Sequence, residues 1–135
     1  LQMLFFLLCA ILTVIRMQFL SLAAVYTENA MMNANPAYLA NILLVFLAFN
    51  ILVPGLYWKT GYELGKPFVL FSVAALLIVT AGEILHHLPG LEGLNAPTGQ
   101  GMLQIPVLLL CAAAYALGSW RAAERAAQNF ETVDL

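Results

Sequence analysis

Four long stretches of the chain contain almost no charged residue, and this pattern constrains the fold more than any other feature. A helix needs about 20 mostly apolar residues to cross a bilayer. The four stretches are residues 1–26, 37–58, 67–88 and 102–120. Because backbone inside hydrocarbon must satisfy its own hydrogen bonds, each stretch predicts a transmembrane α-helix. The expected fold class is all-α: a polytopic membrane protein with about four transmembrane helices, in a single domain spanning residues 1–135.

The amino-acid composition also indicates a chain whose solvent is lipid. Of its 135 residues, 63% are hydrophobic and 9% are charged, whereas soluble domains carry about 25% charged residues. A soluble domain of this size cannot bury so much apolar surface. The net charge of −2 offers no basic patch for nucleic acid, so we expect the lipid bilayer and no nucleic acid as a partner. The chain is apolar from Leu1 onward, and we expect the natural protein to continue upstream.

Basic residues near the ends of the spans predict the orientation. Lys59 and Lys66 lie between the second and third spans, and Arg121 and Arg125 follow the fourth. With four spans, both basic regions fall on one side, which the positive-inside rule assigns to the cytoplasm. The tail at 121–135, whose first residues favour helix, is then expected to extend the last helix into the cytoplasm.

Arg16 is a charge inside an apolar stretch and is therefore a functional candidate. If residues 1–26 form one straight helix, its guanidinium lies near the middle of the bilayer and needs a polar partner or a substrate pathway. Alternatively, the first helix ends near Arg16, and residues 17–26 lie along the membrane surface. The sequence leaves both interpretations open.

Glu83, His86 and His87 are spaced to share one face of the third helix, and a glutamate with two histidines could bind zinc. They lie at the external end of that helix, where polar groups reach water at little cost. Metal binding is therefore the weaker interpretation, and interfacial polar residues the stronger one.

Small residues in the fourth span include Ala114 and Gly118, four positions apart. This spacing lets two helices approach closely, so we expect packing against another helix of this chain or of a partner. The sequence contains no nucleophile with a base, phosphate loop or zinc-protease helix, so we expect no catalytic residue and no bound cofactor on this chain.

One segment resembles a known family. Residues 52–66 read LVPGLYWKTGYELGK, which is similar to the segment that closes one span and opens the next in bacterial ATP-binding-cassette (ABC) type-2 transporter permeases. The end of the chain is also similar, with Tyr115, Ser119 and the charged run at 125–135. The resemblance implies the C-terminal part of a six-span permease in the bacterial inner (plasma) membrane.

The resemblance further implies the partners and the role of the second cytoplasmic loop. An ABC ATPase subunit, carrying ATP and Mg²⁺, and a second permease unit would complete a homo- or heterodimeric exporter of a lipid, peptide or drug-like molecule. Structural or coupling roles in the loop would belong to Lys59, Gly61, Glu63 and Lys66. Two alternatives remain at this point: a membrane scaffold without a transport path, and a metal-dependent membrane enzyme that uses Glu83, His86 and His87.

Overall fold

The described residues form four α-helices, in agreement with the all-α prediction. The computed structural model describes residues 1–20, 33–59, 63–96 and 101–131. Its helices are α1 (Gln2–Leu20), α2 (Pro36–Lys59), α3 (Gly65–Leu85) and α4 (Gln104–Glu131), with a short 3-10 turn at Glu92–Leu94. The predicted all-α fold of a membrane protein is confirmed.

Helices α2, α3 and α4 are each long and apolar enough to cross a membrane. The apolar part of α1, Gln2–Gln18, is shorter than the length needed; the rest of the predicted first span, 21–26, lies outside the described residues. At 24 residues, α2 is about 36 Å long, which exceeds the roughly 30 Å thickness of the hydrocarbon layer.

Helix α2 is the centre of the bundle, and α1, α3 and α4 each pack mainly against it. Helix α4 runs parallel to α2, since Leu47 faces Gly118 and Gly55 is bonded to Asn129. Helices α1 and α3 run antiparallel to α2. The buried apolar side chains of α2 and α4 are small or of medium size, which allows close helix approach; they are Ala37, Leu39, Ala40, Leu43, Val53, Cys111 and Ala122.

The helix ends differ from the predicted ones for local chemical reasons. Helix α3 ends at Leu85 rather than at Leu88, because Pro89 restricts the conformation of the residue before it, and Gly90 follows with a φ of 87°. Helix α4 begins at Gln104, which places Pro106 in its first turn, where the missing N–H costs nothing.

The end of α4 packs along α2 instead of standing free in water. The helix continues without a break to Glu131, and Ala122 is buried against the bundle. The ring of Phe130 contacts that of Trp58 at a centroid distance of 4.8 Å. The described part of the tail, 121–131, therefore lies beside the last two turns of α2, and 132–135 lie outside the described residues.

Candidate functional site

A chain of hydrogen bonds joins α1, α2 and α4 inside the bundle, and we call it the interior polar chain: Gln2, Asn50, Ser119 and Tyr115. Gln2 Nε2 donates to Asn50 Oδ1 at 2.9 Å, and Asn50 Nδ2 donates to Ser119 Oγ at 2.9 Å. Tyr115 OH donates to Gln2 Oε1 at 3.1 Å. Polar side chains in hydrocarbon need such partners, since water cannot supply them.

The depth of the interior polar chain follows from its position along α2. Asn50 lies nine residues before Lys59, the last residue of α2, which corresponds to about 14 Å along the helix axis. Pro54 lacks an N–H, so the carbonyl of Asn50 loses its helical donor. The interior polar chain therefore joins α2 at the turn that lacks one backbone hydrogen bond. With two amides, a hydroxyl and a phenol as its members, this group can hold helices together or line a polar path.

At the opposite end of the bundle, two asparagines fix the start of α2. Asn35 Oδ1 accepts a hydrogen bond from the backbone N–H of Tyr38 at 2.9 Å, which is the usual N-cap bond. Pro36 occupies the first helical position, where its fixed φ suits the helix. Asn35 Nδ2 donates to the carbonyl of Leu94 at 2.8 Å, and Asn95 Oδ1 accepts from the backbone N–H of Asn33 at 2.6 Å. The start of α2 is thus bonded to the loop that follows α3.

Gln104 holds the same loop from α4. Its Nε2 lies 3.0 Å from the carbonyl oxygen of Gly93 and 2.8 Å from that of Ala96. The Gln104 side chain is only 3% exposed, so these bonds satisfy carbonyls that water reaches poorly. We call Asn33, Asn35 and Gln104, with the loop at 91–96, the amide cap.

Arg16 lies at this capped end of the bundle. Helix α1 continues through Arg16 to Leu20, and Arg16 Nη2 is 3.4 Å from Asn33 Oδ1. Because Asn33 lies just before the first residue of α2, Arg16 is level with the start of α2 rather than with its middle. The described part of α1 ends one turn after Arg16, and residues 21–26 lie outside the described residues, so both sequence interpretations stay predictions.

Glu83, His86 and His87 lie at the capped end as well. The two imidazole rings contact each other with centroids 4.0 Å apart, and His86 is 5% exposed while His87 is exposed. Within the described ranges, no three His, Cys, Asp or Glu side chains are arranged to hold a metal ion. The contact between the two histidine rings and the burial of His86 both arise from the turn that follows α3.

The basic residues gather at the other end of the bundle, which we call the basic end. Glu63 Oε2 and Lys66 Nζ form an ion pair at 3.3 Å, and Lys59 ends α2. Arg121 and Arg125 lie on the adjoining part of α4. Gly61, the remaining residue of the predicted coupling set, lies outside the described residues.

The predicted small-residue pair has different surroundings at its two positions. A Cβ atom added at Gly118 would collide with Leu47 of α2, so α2 and α4 are close together there. Ala114 is exposed. Gly118 packs within this chain, whereas Ala114 faces outward.

The interior polar chain and the amide cap include residues that the sequence interpretation did not single out: Gln2, Asn35, Asn50 and Gln104. A usable signal was present, because Asn and Gln are uncharged but still need hydrogen-bond partners inside a membrane.

No protein-family model, curated protein or solved structure matches this chain.

Proposed function

We propose that the chain is part of the membrane-spanning permease of an ATP-driven exporter of the ABC type-2 family. The supporting observation is the position of the segment 52–66 that resembles these permeases. Pro54 and Lys59 lie in the last turns of α2, Glu63 precedes α3, and Lys66 lies in the first turn of α3. The segment thus closes one apolar helix and opens the next, as the corresponding segment of the family does.

The charged residues around the start of α3 are accessible to a partner. The side chains of Glu63 and Lys66 are 58% and 78% exposed. An ion pair so exposed stabilises the fold very little, so both charges can rearrange on a docking protein at little cost. We assign this turn to the cytoplasmic side of a bacterial inner membrane, where an ATPase subunit with ATP and Mg²⁺ would contact it.

Helix α3 offers a surface for a second permease unit. It packs mainly against α2, and large apolar side chains cover its outer face, including Phe68, Val73, Leu76 and Leu77. Lipid can cover such a face, and so can a helix of a second unit, in a homo- or heterodimer. Movement between units would open a path for a lipid, peptide or drug-like substrate, and this chain would supply no catalytic residue.

Affinity purification from membranes of the source organism tests the proposal. We expect a nucleotide-binding subunit to co-purify in mild detergent and the eluate to hydrolyse ATP. Reversing the charges of the turn, with Glu63→Lys and Lys66→Glu together, should release that subunit without unfolding the permease. The double substitution preserves the net charge and permits the ion pair in reverse, so a loss of binding reports on the partner.

The matched control is Glu92→Lys, which reverses one exposed charge in the loop at the other end of the bundle and should leave the complex intact. If no nucleotide-binding subunit accompanies the unaltered protein, the exporter proposal is wrong. If such a subunit co-purifies but reconstituted vesicles move no lipid, peptide or dye when ATP is added, the chain is a scaffold.

A further inference from the structure

A groove opens between α2 and α4 at the basic end, and three cationic side chains line it. Its volume is about 410 Å³. Lys59 lies at the end of α2, and Arg121 and Arg125 lie one turn apart on α4. The remaining lining residues include Leu52, Gly55 and Asn129. We call this the basic groove.

The charges of the basic groove are not balanced within the described part of the chain. None of the described residues that line it is acidic, and no described carboxylate forms a salt bridge with Lys59, Arg121 or Arg125. Of the nearby acids, Glu63 pairs with Lys66, and Glu124 accepts a hydrogen bond from Trp120. Arginines at i and i+4 repel each other on a helix, and an anion between them would remove that repulsion.

Trp58 places the end of the basic groove at the level of lipid headgroups. It directly precedes Lys59, the last residue of α2, and tryptophan is enriched at the membrane–water boundary. Arg121 and Arg125 start deeper, since Ser119 is bonded to Asn50, whereas Phe130 contacts Trp58. Long arginine side chains extend along apolar surface toward the interface, which lets both guanidinium groups reach toward the phosphate layer.

The surface beyond the groove is mostly apolar along the same side of α2, with Asn41 as its polar member. Leu52, Gly55 and Lys59 line the groove, and Ala37, Asn41 and Leu44 line a cavity of about 190 Å³ between α2, α3 and α4. Residues spaced by three or four fall on one side of a helix, so all six lie along one stripe. A molecule with an anionic head in the groove would have an apolar surface beside its tail.

We propose that the basic groove binds the phosphate headgroup of an anionic phospholipid, with its acyl chain along the α2 stripe. Guanidinium groups bind phosphate oxygens in bidentate fashion, and basic pockets between transmembrane helices bind anionic headgroups in this way. The site needs only a membrane around the bundle, so it does not depend on the exporter proposal.

Native mass spectrometry of the detergent-purified chain tests the site with two probes of equal acyl length, phosphatidylglycerol and phosphatidylcholine. We expect the anionic lipid to bind more tightly. Each of the changes Lys59→Gln, Arg121→Gln and Arg125→Gln should weaken phosphatidylglycerol binding about fivefold, and the triple variant about a hundredfold. Lys66→Gln removes one positive charge from the same end but not from the groove, so its affinity should change less than about twofold.

Three outcomes would overturn the proposal. One is equal phosphatidylglycerol affinity in the triple variant and the unaltered protein, with circular dichroism showing both to be folded. Another is displacement of the lipid by millimolar inorganic phosphate, which would make the groove a site for free phosphate. The third is binding that begins only when residues 132–135 are removed, since the C-terminal segment would then be the occupant.

Discussion

Asn50 and Ser119 are hydrogen-bonded to each other between α2 and α4, the two helices that pack most extensively, with Asn50 Nδ2 2.9 Å from Ser119 Oγ. The contact lies one turn before Pro54, where α2 has lost a backbone hydrogen bond. The side-chain bond therefore ties α4 to the turn of α2 that bends most easily. The interior polar chain therefore holds α4 against the turn of α2 that precedes Pro54.

Replacing Asn50 tests this connection. Asn50→Leu removes two interhelical hydrogen bonds, each of about 1 kcal/mol in a membrane, and should lower the free energy of unfolding by about 2 kcal/mol. A double-mutant cycle with Ser119→Ala should give a coupling energy of about 0.5–1.5 kcal/mol, measured by denaturation in mixed micelles.

The control for this cycle is Ser72→Ala. Ser72 Oγ donates to the carbonyl of Phe68 in its own helix and is exposed, so its effect should add to that of Asn50→Leu. Additive effects for Ser119→Ala as well would show that the bond between Asn50 and Ser119 contributes nothing to stability.

The fold was largely predictable from the sequence because apolar length alone identifies membrane helices. The boundaries of α2 lie within one residue of the predicted ones at each end. The prediction was close because Pro36 and Lys59 are strong local signals for where an apolar helix begins and ends. The course of α4 beyond Trp120 was harder to predict. A charged, alanine-rich segment suits a helix in water. Only its contacts with α2, such as that between Phe130 and Trp58, show that it packs against the bundle.

The polar contacts were less predictable because their partners are distant in sequence. Gln2 and Asn50 are 48 residues apart, and Gln104 bonds to a loop whose conformation the sequence does not specify. Arg16 was a visible candidate, but its depth depends on where α2 begins relative to α1. Residue type indicates that a partner is needed, whereas helix packing determines which residue it is.

Gln104 is expected to stabilise the amide cap. Gln104→Ala removes the donor for the carbonyls of Gly93 and Ala96, and an unsatisfied buried carbonyl costs about 1–3 kcal/mol. Amide hydrogen exchange at 94–96 should therefore accelerate. Gln128→Ala changes an exposed glutamine of the same helix and should leave that exchange unchanged. Equal exchange rates at 94–96 in the two variants would show that Gln104 does not stabilise the amide cap.

The orientation can be measured with single cysteines in a background lacking Cys9 and Cys111. The positive-inside rule predicts that Lys66 lies in the cytoplasm and Glu92 outside. A membrane-impermeant maleimide should therefore label the Glu92→Cys variant in intact cells, and the Lys66→Cys variant only after permeabilisation. Labelling of Lys66→Cys in intact cells would reverse the assignment and contradict an ATPase contact at the α2–α3 turn.

Gly118 and Gly55 should respond in opposite directions to the same substitution. Alanine favours a helix over glycine by about 0.5–1 kcal/mol, and nothing lies within 4 Å of a Cβ added at Gly55, so Gly55→Ala should stabilise the protein by that amount. At Gly118 the added methyl group meets Leu47. The leucine must leave its rotamer or the helices must separate, so Gly118→Ala should destabilise by about 1–3 kcal/mol. Unfolding midpoints of both variants, measured in the same detergent, give the comparison. A stabilising Gly118→Ala would mean that α2 and α4 are farther apart at this point than the structure places them.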